Sequence, residues 1–244
     1  VIAQHNFLLV IFSIFIAVVA SYTTIELMKR ISFSQTDSAV LLSWLVISAF
    51  TIGTGIWSMH FVAMLAYQLP FSVSYDYSIV ILSWIAAIIA SGIAVYSLKQ
   101  GFTDWVSVAI PGLLMGAGIG AMHYIGMAAM EVAGARMKYN YWIVALSVLV
   151  AVTVASFALL LVNYIRNGDR RKELKLGAAL IMGTAISGLH YTGMAAVQFT
   201  RIESALSAAN RPGVNSLDAT SMAFTIGIVT LAILGTASLA SQVD

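Results

Sequence analysis

Three histidines stand in one repeated setting. His60, His123 and His190 each follow a glycine by seven residues (Gly53, Gly116, Gly183). An aromatic ring comes directly after each (Phe61, Tyr124, Tyr191), and a methionine four residues after (Met64, Met127, Met194). Met59 and Met122 precede the first two histidines, whereas Leu189 takes that place in the third. The chain has only four histidines, so three at equivalent places in an internal repeat are hard to assign to chance. Residues four apart share a helix face, so each imidazole and the thioether after it point the same way. Imidazole and thioether groups without a thiolate or a carboxylate cluster make a ligand set for copper. Thioether sulfur favours Cu(I), imidazole accepts either copper state, and calcium or magnesium would want oxygen. Zinc through the histidines comes second, because structural zinc sites usually include cysteine and the chain has none. The candidate metal ligands are therefore His60, His123, His190, Met64, Met127, Met194, Met59 and Met122. His5, ahead of the first helix, is the weakest candidate, in a place that suits a solvated side chain. Glu131, one turn beyond Met127, is a candidate to orient an imidazole from outside the ligand set.

Plainer readings stand beside these. A histidine in a membrane helix also serves as a hydrogen-bond partner between helices. Methionine is common filler of apolar cores, and Tyr124 and Tyr191 suit the aromatic belt of a membrane interface.

The elements that carry these residues are set by composition. Of 244 residues, 60% are hydrophobic and 9% charged, against about a quarter charged in a soluble domain. Seven runs lack any charged side chain: 1–25, 38–75, 77–98, 105–130, 139–165, 176–200 and 219–243. Each meets the roughly 20 residues a helix needs to cross a bilayer core. None shows the polar/apolar alternation of barrel strands. The expected fold is an all-α membrane protein of seven transmembrane helices, one domain over 1–244. Helices are expected near 6–28, 39–68, 77–98, 106–132 and 141–165, then from Lys175 to 199 and from 219 onward. The repeats fall on helices 2, 4 and 6. Pro111 sits in an early turn of helix 4, where proline is tolerated. The column glycines let helices approach closely and predict a trio packed tightly below the histidines.

Lys29, Arg30, Lys99, Arg166, Arg170, Arg171, Lys172 and Lys175 fall on one side of these helices, against Arg136, Lys138, Arg201 and Arg211 on the other. The excess predicts a cytoplasmic first side, so the N-terminus lies outside, the C-terminus inside, and the histidines toward the outer face. The first run has no basic segment before it and no small-residue cleavage site, so it reads as a retained helix. A net charge of +2 and the lack of any basic run interleaved with aromatics argue against nucleic acid.

The phrases Met122-His123-Tyr124, Met59-His60-Phe61 and HYTGMAA from His190 to Ala196 resemble the MHYT domain, a bacterial integral-membrane sensor family. The opening HNFLLVIFSIFIAVVASYTTIEL is similar to that family's first helix, and the likeness covers the whole chain. The resemblance implies a sensory input domain of the bacterial inner membrane, followed in many members by cyclic-di-GMP turnover or histidine kinase domains in the cytoplasm. It also implies copper and the sensing of oxygen, carbon monoxide or nitric oxide, with Met59 and His60, Met122 and His123, and His190 as ligands. Leu189 departs from the motif and makes the later methionine column the better thioether candidate. Phe61 departs too, against a general role for the tyrosine.

The reading is a membrane sensor and no enzyme, since no nucleophile and base pairing can be traced. Its partners are membrane lipids, a diatomic gas, a cytoplasmic output domain and, as signalling outputs often require, a second copy in a homodimer. The rivals are a small-molecule or ion transporter and a bis-histidine haem protein. The former fits poorly with threefold repetition, and the latter leaves one histidine unexplained. A third rival has the histidines bridging helices and nothing more. Retinal is disfavoured, because helix 7 contains no lysine.

Overall fold

The computed structural model describes residues 4–33, 38–102, 104–166, 172–201 and 216–240. Seven α-helices dominate these residues: α1 (Phe7–Phe33), α2 (Ser38–Ala66), α3 (Tyr77–Gln100), α4 (Trp105–Ala128), α5 (Tyr141–Arg166), α6 (Lys172–Ala195) and α7 (Ala219–Ala240). Five contain spans long and apolar enough to cross a membrane: Phe7–Met28, Ser38–Ala66, Tyr77–Gln100, Trp105–Ala128 and Tyr141–Ile165. α7 contributes a shorter apolar stretch, Ala219–Gly235. The chain is compatible with a multi-pass helical membrane protein. Arg170, Arg171 and Arg211, used above for orientation, lie outside the described residues, as does the whole of 202–215.

Helices α1 to α6 close into a ring in which each packs against its neighbours in sequence and α6 returns to α1. The column glycines make the tight crossings. A Cβ on Gly53 would overlap the backbone of Ile88 on α3, one on Gly116 that of Val152 on α5, and one on Gly183 that of Val18 on α1. The close approach therefore joins each histidine helix to one outer helix, and it does not draw the histidine helices together as the sequence suggested. A side chain at any of the three glycines would push two backbones apart.

A second contact repeats with the same threefold order. The amides of Asn6, Asp76 and Asn140 donate to the carbonyls of Ala66, Ala129 and Ala196, at 2.8, 2.9 and 2.8 Å. The side chain of each also caps its own helix: Asn6 Oδ1 accepts from Leu8 and Leu9, Asp76 Oδ1 from Ser78 and Ile79, and Asn140 Oδ1 from Trp142 and Ile143. Side-chain oxygens of Asn and Asp suit this place because they satisfy the orphan amides of a first turn. The start of α1 is thus tied to the end of α2, α3 to α4, and α5 to α6.

Several helix ends differ from expectation: α1 runs on to Phe33 past the expected 28, and α2 stops at Ala66 short of 68. α4 stops at Ala128 and α6 at Ala195, where readings from hydropathy alone ran on to 132 and 199. The chain instead enters short strands: β1 (Gln4–His5), β2 (Tyr67–Gln68), β3 (Val73–Asp76), β4 (Met130–Val132), β5 (Ala135–Tyr139), β6 (Val197–Arg201) and β7 (Ser216–Asp218). They pair as β1-β2, β4-β3-β7 and β5-β6, all antiparallel, at the end of the bundle that holds the histidines. Hydrophobicity continued past the last turn because these strands are themselves half apolar, as in Val197 and Phe199, both buried.

α7 stands outside the ring, mainly against α2. Asp218 caps it through Ser221, as Asp76 caps α3, so α7 is the sequence counterpart of the outer helices. The place beside Gly183 that it would fill is taken by α1. At the far end of the ring, Lys175 of α6 is buried and pairs with Glu26 of α1 at 2.8 Å. A lone buried ammonium would be expensive, and the carboxylate offsets that cost.

The glycine crossings give a paired prediction. Gly116→Ala should lower stability by about 1–3 kcal/mol, since overpacking forces the backbones apart. Gly188→Ala, with nothing within 4 Å of the added carbon, should raise it by up to about 1 kcal/mol through helix propensity. Thermal unfolding of both variants in detergent checks the opposite signs.

Candidate metal centre

Each histidine sits six residues before the helix-ending alanine whose carbonyl is capped, so the three caps place the three rings at one level. There the side chains of α2, α4 and α6 meet on the ring axis. His60 Nδ1 lies 3.0 Å from His190 Nδ1 and 3.2 Å from His123 Nδ1. The ring centroids are 4.9–5.2 Å apart and the planes steeply inclined to one another. All three side chains are buried, at 1–2% exposure. They are the one group of three histidine or acidic side chains close enough to share an ion among the described residues.

Two features decide what this arrangement can do. First, nitrogens on a common first-row ion lie about 2.0–2.1 Å from it, which puts ligands of a trigonal site roughly 3.5 Å apart. The Nδ1 spacing is a few tenths of an ångström short of that, so a small outward swing of the rings would suit an ion. Without an ion, His60 Nδ1 can accept from the other two, and the cluster is a hydrogen-bonded hub. Second, Nε2 of all three rings is buried with no hydrogen-bond partner among the described residues. Such orphans cost about 1–3 kcal/mol each, and an ion held at the Nδ1 atoms would leave them in place, so the case for an ion rests on the Nδ1 convergence. The donor set and its convergence fit a metal ion.

Glycines shape the pocket. Gly126 and Gly193 follow their histidines by three residues, and a Cβ on either would overlap Nε2 of His60 and His123 respectively. These glycines make room for the rings. Ala63, buried, holds the same place in the first repeat.

The tyrosines after the histidines turn outward to serines on the outer helices. Tyr124 Oη lies 2.7 Å from Ser147 Oγ, and Tyr191 Oη lies 3.4 Å from Ser13 Oγ. In the first repeat, where Phe61 has no hydroxyl, Trp57 Nε1 donates to the corresponding Ser83 at 3.2 Å. Ser13, Ser83 and Ser147 each stand seven residues after a cap (Asn6, Asp76, Asn140). They were missed in the sequence because serine is common and its period shows only once the caps are known. The tryptophan explains how the phenylalanine is accommodated.

The remaining candidates fall as follows. Met59, Met64, Met122, Met127 and Met194 are all buried in the core around the triad level. His5 is exposed on β1, edge-on to Tyr67 and Tyr191 at 5.2 and 6.1 Å between centroids, outside the triad. Glu131 does not orient an imidazole. Because α4 ends early, it lies on strand β4, where its carboxylate accepts from Ser74 at 3.3 Å. Above the triad, the phenol of Tyr75 on β3 is buried, which pushes its pKa up and keeps it protonated.

The sequence is similar to that of known proteins. The MHYT model, described as a bacterial signalling protein N terminal repeat, matches residues 53–110 and 116–177. Each match opens on a column glycine. The chain belongs to the MHYT family. It is 41% identical over its whole length to the bifunctional diguanylate cyclase/cyclic di-GMP phosphodiesterase MucR of Pseudomonas aeruginosa, of which it spans 34%. It is 38% identical over 191 residues to the cyclic di-GMP phosphodiesterase NbdA of the same species, covering 78% of this chain and 24% of NbdA. The signaling protein YkoW of Bacillus subtilis is 30% identical over 199 residues, 80% of this chain and 24% of its own length. No solved structure matches the chain. This MHYT chain is the sensory part that it shares with such proteins, and the enzymatic parts named for the relatives lie outside the shared stretch.

The tyrosine contact can be isolated. Tyr124→Phe should cost about 1 kcal/mol, the net worth of one hydrogen bond. A cycle with Ser147→Ala should be non-additive, because the two share that bond. Chemical unfolding of the four proteins measures the coupling.

Proposed function

We propose that this domain senses through a copper ion held by His60, His123 and His190 at the outer face of the bacterial inner membrane. The observation that carries the reading is the convergence of three buried imidazole nitrogens on one axis. Bound copper would supply a centre able to take a diatomic gas or change oxidation state. Met59, Met122 and the later column of Met64, Met127 and Met194 are the thioether candidates for completing it, given their burial at the same level. Zinc would suit the imidazoles but offers no redox change. Haem fits poorly, because rings 4.9–5.2 Å apart leave no space for a macrocycle between any two of them.

The orientation rests on the basic residues: Lys99 and Lys175 stand at the end opposite the triad, where α5 also ends at Arg166. All seven helices then span, α6 doing so with its Lys175 neutralised by Glu26. The chain's route to an output domain is asymmetric. Only α2 carries both a triad histidine and the main contact to α7, where Thr230 Oγ1 donates to Ser58 Oγ at 2.5 Å. Ser58 is two residues from His60. A change in how His60 is held would tilt α2 and reach the cytoplasm through α7, toward a cyclic-di-GMP turnover domain like those named for the relatives. Such a switch needs the ligand to prefer one of two helix arrangements.

Elemental analysis of the full-length protein after copper loading tests the reading. Copper near one equivalent per chain is expected in the wild type and in Met59→Leu, which mimics the third repeat. The His60→Ala/His123→Ala/His190→Ala variant should hold none. Equal copper, or none, in wild type and triple variant would refute it and leave the histidines as a hydrogen-bonded hub between helices.

A further inference from the structure

Directly beneath the triad the six-helix ring leaves a partly open cavity of about 40 Å³. The histidine helices contribute two matched tiers to it. Ile56, Ile119 and Ile186 stand four residues before the three histidines, and Ile52, Met115 and Met182 eight before. The upper tier is therefore an isoleucine ring between the cavity and the imidazoles. The outer helices close the other side with small or apolar groups, among them Ala94 and Leu98 of α3 and Ala155 of α5. The tightly packed trio expected from the glycines is absent at this depth, because those glycines draw each helix outward to its neighbour.

Only two hydroxyls line the space, and both are already engaged. Ser21 Oγ donates to Ala17 O at 2.8 Å and Thr24 Oγ1 to Ala20 O at 2.7 Å. A buried water needs two to four polar partners, and cavities lined by Leu, Ile and Phe stay dry and take xenon or benzene. A water needs about 10–15 Å³ on this measure, so the space suits a guest of about three heavy atoms. The route from the opposite side is less open, since three small sheets cover the histidine end and leave the imidazoles almost wholly buried.

We propose that this cavity is a binding site for a small apolar molecule of the dissolved-gas class, seated below the triad and separated from it by Ile56, Ile119 and Ile186. The site stands apart from the copper reading, because its guest is held by dispersion and exclusion of water and needs no metal. Either proposal can fail alone.

Xenon is the probe, followed by xenon NMR on the full-length protein in nanodiscs, with the triple histidine variant included to remove any metal. A bound-xenon signal is expected in the wild type and in the triple histidine variant. Ala155→Leu, which fills the space, should lose it, and Ile119→Ala, which enlarges the space, should strengthen it. Gel filtration and the thermal midpoint verify that each variant is folded. An equal signal in wild type and folded Ala155→Leu would overturn the proposal. So would the absence of bound xenon in both wild type and Ile119→Ala, or an acyl chain found in the cavity by electron cryomicroscopy.

Discussion

The last carbonyls of a helix have no partner within it, and leaving them bare in apolar surroundings is expensive. In this protein the ends of α2, α4 and α6 are satisfied by the first amides of α1, α3 and α5, through Asn6, Asp76 and Asn140. That single bond, made three times, fixes the height of each histidine helix against the next outer helix. The glycine crossings then fix the distance between them. Height and distance together bring three imidazoles to one point, so the site is a consequence of how the ring closes.

The interior uses few polar groups, and the three histidines with Ser13, Ser83 and Ser147 belong to this frame. The serines after the caps hold the aromatic neighbours of the histidines, while many other hydroxyls donate back to their own helix. Half of the buried side-chain atoms without a partner among the described residues are the three histidine Nε2 atoms, beside Ser48 Oγ, Ser91 Oγ and Asn163 Oδ1. Native interiors satisfy such atoms unless a function asks otherwise. The same economy makes the space beneath the triad apolar: where hydroxyls are turned inward to their own backbone, the void between helices offers nothing to water.

The threefold order is broken in three places. Leu189 replaces the methionine before the third histidine, and Phe61 with Trp57 replaces the tyrosine contact of the first repeat. The larger break is α7, which begins with the cap of an outer helix but finds its place filled by α1. A ring of three two-helix units needs only six helices, and α1 to α6 supply them, so the seventh is left over. The spare helix rests on α2 and is the one element whose packing singles out one repeat from the other two.

Periodicity in the sequence determined the most regular parts: the apolar helices, the histidine column, the glycine column and the likeness to the MHYT family, now shown by its model and its relatives. These are local signals, each carried by side chains whose chemistry or size is rare enough to stand out. The ends of α4 and α6 were not legible, because hydropathy does not distinguish a last helical turn from an apolar strand such as 197–199. The fate of Glu131 depended on that end. Which helix each glycine faces was not legible either: a small residue permits a close approach without naming the partner. Only the tertiary structure decided that the partner is the outer helix, and so that a void lies under the histidines. The spacing of Nδ1 atoms is likewise a sum over six helices, since no stretch of chain contains more than one of the three rings.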